Sequence, residues 1–178
     1  MSSLTLLGLC GSLRAASWNR KLMLEAARLF DPAEFIEGNL RLPLYDGDLE
    51  AQGLPSEVQM LADQIRAADA VVIAGPEYNK AMSGVLKNGL DWISRVPGGV
   101  WRDKPVAILS AAAGRAGGER TQMTLRHAMN PFRAHVLPGP EVMIAAPDRE
   151  FDAEGRLINE MPLKLLTELM EALRRAAS

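Results

Sequence analysis

Hydrophobic positions along the chain fall into two kinds of run, short continuous stretches and longer stretches spaced three or four residues apart. The first continuous run, Leu4 to Cys10 with one glycine inside it, stops at Gly11-Ser12. It has the pattern of a strand buried on both faces of a parallel sheet. A polar loop, Ser12 to Asn19, follows. Leu22, Met23, Ala26, Ala27 and Leu29 or Phe30 then recur at helical spacing until Asp31-Pro32, because the residue before a proline disfavours helix. Glu34 to Leu40 reads as a weaker second strand, and the segment through Pro43, Tyr45-Asp46-Gly47-Asp48 and Pro55 as turns. Ser56 stands where an N-cap is expected, ahead of a helix with Val58, Leu61, Ala62 and Ile65 on one face. Ala70 to Gly75 is the clearest buried strand. Its loop, Pro76-Glu77-Tyr78-Asn79, leads to a helix from about Ser83 with Val85, Leu86, Leu90 and Ile93 on its apolar face. Pro105 to Ser110 is the next strand, ahead of an Ala- and Gly-rich loop, Ala111 to Gly118, and a helix running to about Met129. His135 to Ala145 holds a last strand, interrupted by Pro138-Gly139-Pro140. A turn at Asp152-Ala-Glu-Gly155 precedes a terminal helix carrying Leu166, Leu169, Met170 and Leu173.

Strand and helix thus alternate five times, which argues for a parallel sheet covered by helices on both faces. With five strands the expectation is an α/β flavodoxin-like three-layer sandwich, its sheet ordered 2-1-3-4-5. At 178 residues the chain has the length of about one domain, so residues 1–178 are expected to form a single unit. Lys and Arg number 20 against 22 Asp and Glu, without the basic excess that binding a phosphate backbone needs, and nucleic acid is not an expected partner. A single cysteine, Cys10, excludes an internal disulfide framework and fits a reducing compartment, hence a cytoplasmic location. The apolar run at the start has no Lys or Arg before it and falls far short of the roughly 20 residues of a membrane span, so neither a signal peptide nor a membrane segment is expected.

In an open sheet of this order, ligands bind beyond the carboxyl ends of the strands where the order reverses, between the first and third. Three loops meet there: Gly11 to Asn19, Gly75 to Asn79, and Ser110 to Gly118. Each precedes a helix, whose free N–H groups and positive dipole end face the same crevice. The first loop offers Ser12, Arg14, Ser17 and Asn19 within a few residues, a set suited to a phosphate monoester. Ser12 and Ser17 also read as turn and N-cap residues, whereas a guanidinium between two hydroxyls at a helix entry suits bidentate phosphate contact. Neither G-x-G-x-x-G nor G-x-x-x-x-G-K-[ST] occurs, which weakens a dinucleotide fingerprint and a nucleoside triphosphatase. In the second loop Pro76 stiffens the backbone, Tyr78 supplies a ring and Asn79 a donor and acceptor; the bland alternatives are a partly buried aromatic and an N-cap. Gly75 and Gly84 are candidates for close backbone approach.

Gly11-Ser-Leu-Arg-Ala-Ala-Ser-Trp-Asn19 resembles the phosphate loop of the NADPH-dependent FMN reductase family, G-S-L-R-x-x-S-x-N. Gly75-Pro-Glu-Tyr-Asn79, with Ser83-Gly84, Leu86-Lys-Asn88 and Asp91-Trp92, resembles its second signature. The likeness runs from the first strand to about Met129 and is nearest to the bacterial quinone and chromate reductase branch. The resemblance implies that Ser12, Arg14, Ser17, Trp18 and Asn19 hold the FMN phosphate end. It implies further that Pro76, Glu77, Tyr78 and Asn79 line the isoalloxazine and that the loop from Ser110 borders its other edge. It also implies a homodimer or homotetramer. One departure stands out, Lys80 where many relatives carry an aromatic, and Ala111-Ala-Ala113 is blander than the hydroxyl-bearing third loops of relatives.

Elsewhere, His127 and His135 lack acidic or cysteine partners at ligand spacing, so no metal site is expected. Cys10 reads as a small inert thiol. Arg115, Arg120 and Arg126 flank the third loop, where they read equally as recipients of an adenosine phosphate and as solvated helix charges. Trp92 and Trp101 read as core or as oligomer contacts. The resulting functional expectation is an FMN enzyme that takes a hydride from NADPH or NADH in a ping-pong cycle. It passes electrons to a quinone or another small acceptor such as chromate, a ferric complex, an azo dye or free flavin. No protein group is assigned a catalytic role, because the flavin carries the chemistry. The alternatives are a flavodoxin-like single-electron carrier, disfavoured by Arg14 and the small net charge, and a flavin-free member of the fold.

Overall fold

A computed structural model describes residues 3–178. Strand β1 (Thr5–Cys10) lies between β2 (Glu34–Gly38) and β3 (Ala70–Ala74), and β3 is followed by β6 (Pro105–Ala112), all parallel. The fifth position is shared by two short strands. β7 (His135–Val136) pairs with Pro105 and Val106, and β8 (Val142–Ala145) pairs with Leu109 to Ala112. The order is therefore the expected 2-1-3-4-5 with its last strand cut in two. Pro138 and Pro140 fall in the interruption, where residues without an N–H cannot continue a ladder.

Alternation along the buried strands divides the interior. Leu6, Val72, Ala107 and Leu109 face α1 (Trp18–Phe30) and α6 (Glu160–Ala176). Leu7, Leu9, Val71, Ile73, Val106 and Ile108 face α3 (Ser56–Ala67) and α4 (Gly84–Ser94), with Leu125 and Met129 of α5 (Glu119–Met129) on the same side. Three layers result. Trp92 and Trp101 both belong to the second core, at most 2% exposed, which settles the choice left by the sequence in favour of packing.

Local chemistry sets the helix ends. Asp31 ends α1 in the left-handed region, its N–H bonded to Ala27 O. Ser56 is not a cap: Pro55 occupies that position, its carbonyl accepting from the Val58 and Gln59 amides, and Ser56 is the first helical residue. The turn-rich segment also contains a one-turn helix, α2 (Gly47–Ala51), capped by Asp46, whose Oδ1 accepts from Asp48 N at 2.9 Å. Further along, Phe151 bridges Leu157 across the expected turn.

Glu25 of α1 is buried, with a carboxylate held by Arg28 through two N–H donors (2.8 and 2.9 Å) and by Arg156 Nη1 (3.1 Å). This joins α1 to the segment before α6. Glu25→Ala should lower unfolding stability by about 1 to 3 kcal/mol, since bonds to a buried charged acceptor are lost while both arginines can turn to water. Urea denaturation reads this directly, and an unchanged midpoint would contradict it.

Candidate functional site

The carboxyl ends of β1, β3 and β6 open into one cleft of about 290 Å³, walled by the first loop and the start of α1, by Pro76 to Tyr78, and by Ala111 to Ala113. In the first loop, Gly11 is fixed at both ends: its N–H donates to Ala74 O (2.8 Å) and its carbonyl accepts from Ser83 Oγ (2.7 Å). Ser12, Arg14, Ser17, Trp18 and Asn19 all line the cleft. Ser17 serves two ends, since its Oγ also caps α1 by accepting from Arg20 N at 3.3 Å. That leaves the Trp18 and Asn19 amides, which have no partner inside the helix, at its positive end. Trp18 is stacked on Phe151 with ring centroids 5.7 Å apart and carries Lys21 Nζ 4.4 Å from its own centroid.

Asn19 does more than the loop motif indicates. It is buried, its Nδ2 donates to Ala111 O and its Oδ1 accepts from Ala111 N, both at 2.9 Å. Pairing between β3 and β6 ends at Ala74 and Leu109, so this amide takes the place of a strand neighbour that β3 no longer provides. The first and third loops are thereby one unit.

The second loop is a hairpin, a feature the sequence reading missed. β4 (Glu77–Tyr78) pairs antiparallel with β5 (Ala81–Met82) around Asn79 and Lys80, whose φ values are 49° and 65°. Two successive positive φ values are the signature of a type I′ turn. Asn79 therefore sits at the hairpin tip, outside the wall of the cleft, and it does not cap α4; Ser83 does, accepting from Leu86 N at 3.3 Å. Pro76 is buried in the wall and Tyr78 stands half exposed beside it. Glu77 lines the cleft too, but its carboxylate is engaged: Oε2 accepts from Arg120 N at the start of α5 (3.0 Å), and Oε1 lies 3.8 Å from the Arg120 guanidinium. Met82 N donates to Thr124 Oγ1 at 2.9 Å. So small a hairpin is marginal by itself, and α5 holds it in place.

Ser110 is displaced from its expected role. β6 runs two residues beyond the expected end because β8 pairs with it there, and Ser110 is buried behind the cleft. Its Oγ donates to Gly117 O (2.8 Å) and accepts from Gln122 Nε2 (3.0 Å), shaping the third loop from inside. Gly117 and Gly118 make that loop possible. Both have positive φ, and a Cβ would stand 2.7 Å from the Met143 backbone at the first and from Ser110 Cβ at the second. Gly75 serves packing rather than a ligand, since a Cβ there would meet Leu86 at 2.8 Å; Gly84 faces nothing within 4 Å.

Of the three arginines near the third loop, Arg120 is engaged by Glu77 and Arg126 donates to Leu137 O at 2.7 Å. Arg115 alone of these three has neither an ion pair nor a side-chain hydrogen bond among the described residues, and it lines the adjoining groove. Pro147 and Asp148, which belong to no motif, line the cleft from the turn after β8. Burial pushes the Cys10 thiol up from its ordinary value, which opposes formation of the nucleophilic thiolate. Among the described residues, no three His, Cys, Asp or Glu side chains converge as a metal site would require, and no helix is long and apolar enough to cross a membrane.

Two hydroxyls, one guanidinium and the open amides of a helix start therefore belong to the lining of one cleft, a donor set that fits a phosphate monoester. The model of the NADPH-dependent FMN reductases matches residues 4–148. The chain belongs to that family. An NAD(P)H-dependent FMN reductase of Pseudomonas aeruginosa is 44% identical over 170 residues, covering 94% of this chain and 92% of that one. A quinone reductase of Escherichia coli is 38% identical over 170 residues, covering 92% and 90%. Among solved structures, the flavoenzyme NAD(P)H:(acceptor) oxidoreductase FerB of Paracoccus denitrificans superposes with a TM-score of 0.89 at 31% identity, covering 98% of this chain and 97% of that one. Family membership makes the chain a flavodoxin-like oxidoreductase that works with FMN and a nicotinamide reductant. The relatives are named as reductases, so the electron-carrier reading is not carried forward.

Proposed function

We propose that this reductase binds FMN in the three-loop cleft and reduces quinones or similar small acceptors at the expense of NAD(P)H. The observation that carries the reading is the donor set at the start of α1 opening onto a cleft walled by Tyr78 and by the bare backbone of Ala111 to Ala113. Ser12, Arg14, Ser17 and the first amides of α1 hold the phosphate. Pro76, Tyr78 and Ala111 to Ala113, which line the same cleft, would hold the flat ring. When bound, FMN supplies the redox chemistry, taking two electrons from NAD(P)H and giving them to the acceptor. The protein's residues hold and orient it. Glu77 orders the hairpin through Arg120, and Asn19 fixes the third loop through Ala111.

The quinone reductase relatives support the choice of acceptor, and the proposed order is ping-pong, the oxidised nucleotide leaving before the acceptor enters. In the same reading residues 1–178 form one FMN-binding unit that works as a homodimer or homotetramer in the cytoplasm. Steady-state rates measured over a grid of NADPH and quinone concentrations test the mechanism. Parallel double-reciprocal lines are expected, with net conversion of NADPH, a proton and quinone into NADP+ and hydroquinone. Intersecting lines would contradict an alternating order.

A further inference from the structure

On the β2 side of the first loop lies a second groove, of about 530 Å³, which shares Ser12 and Arg14 with the cleft. Its other charged residues are Arg20, Arg41 and Glu37. Arg20 meets Glu37 with two N–H donors at 2.7 Å, which neutralises that acid and leaves Arg14 and Arg41 as the groove's net positive charge. Arg41 reaches into the loop itself: its Nη2 donates to Leu13 O at 2.8 Å, while its own N–H is held by Asn39 Oδ1 at 2.9 Å.

The Leu13 carbonyl and the Arg14 N–H belong to the same planar trans peptide, so they point to opposite sides. By holding the carbonyl in the groove, Arg41 turns the Arg14 N–H the other way, toward Ser12 Oγ, to which it donates at 3.4 Å; Ser12 lines the groove and the cleft alike. Were that peptide to flip, a carbonyl dipole would oppose an incoming anion.

We propose that Arg41, which lies outside both loop motifs, is a positioning residue for the phosphate end of the flavin. It fixes the Leu13–Arg14 peptide and places a second positive charge beside Arg14. The inference rests on reading the cleft as the FMN site. It predicts selectivity for the phosphorylated flavin, because riboflavin offers nothing for this peptide or this charge to favour.

The test is titration of the full chain, freed of flavin, with FMN and with riboflavin, followed by fluorescence quenching. Arg41→Ala should raise the FMN Kd about tenfold, the scale of one charge-assisted contact, and leave the riboflavin Kd within about twofold. Arg41→Lys, which keeps the charge and a donor, should recover most of the loss. Equal weakening for both flavins would show a general structural role and overturn the inference, as would an unchanged FMN Kd. Wild-type protein that failed to bind FMN would instead overturn the reading of the cleft, and the Arg41 inference with it.

Discussion

Arg14→Ala should weaken FMN binding by about ten- to a hundredfold, the loss of about 1.5 to 3 kcal/mol expected when a charge-assisted contact to phosphate disappears. The side chain is exposed in the first loop and lines both grooves that meet there. It makes no ion pair among the described residues, in contrast to Arg20, which Glu37 engages. Its removal therefore breaks nothing within the fold, and thermal stability without flavin should stay at the wild-type value. Isothermal titration with FMN, paired with a melting curve of the flavin-free protein, checks both halves. An unchanged Kd would remove Arg14 from the site.

Asn19→Ala should act on the fold and the site together. The side chain is buried and is bonded at both its polar atoms to Ala111, 92 positions away. Truncation leaves the Ala111 N–H and C=O without those partners where β3 no longer pairs, at a cost of about 2 to 4 kcal/mol. The third loop is freed as well, so FMN affinity should fall alongside stability. Asn19→Asp isolates the donor, because it retains an acceptor for Ala111 N but sets a carboxylate oxygen against the Ala111 carbonyl. Chemical denaturation should rank both variants well below wild type. A loss under about 0.5 kcal/mol for Asn19→Ala would place the coupling of the two loops elsewhere.

The contrast between these residues shows what the sequence made legible. Arg14 could be read directly, because its chemistry lies in its own side chain and its immediate neighbours. The role of Asn19 depends on where β3 stops relative to β6, a matter of register between segments far apart in the chain. Glu77 is a similar case: its partner Arg120 lies 43 residues away, and only the folded sheet brings them together. The buried strands were legible because unbroken runs such as Ala70 to Ala74 have few other places to go. The β4–β5 hairpin was not, since two-residue strands carry no periodicity and the turn uses Asn79-Lys80 in place of an Asn-Gly signal. Ser110 was misplaced for a similar reason, because the end of β6 is set by β8 and not by the apolar run itself.

In the proposed function the three-loop cleft takes FMN and a nicotinamide nucleotide reduces it there. The most direct measurement adds FMN to the flavin-free chain to saturation, then adds NADH or NADPH without oxygen while the oxidised flavin absorbance is followed. Saturable binding with rapid bleaching by at least one of the two nucleotides is the predicted result. Absence of saturable FMN binding, or a bound flavin that neither nucleotide bleaches, would contradict the claim.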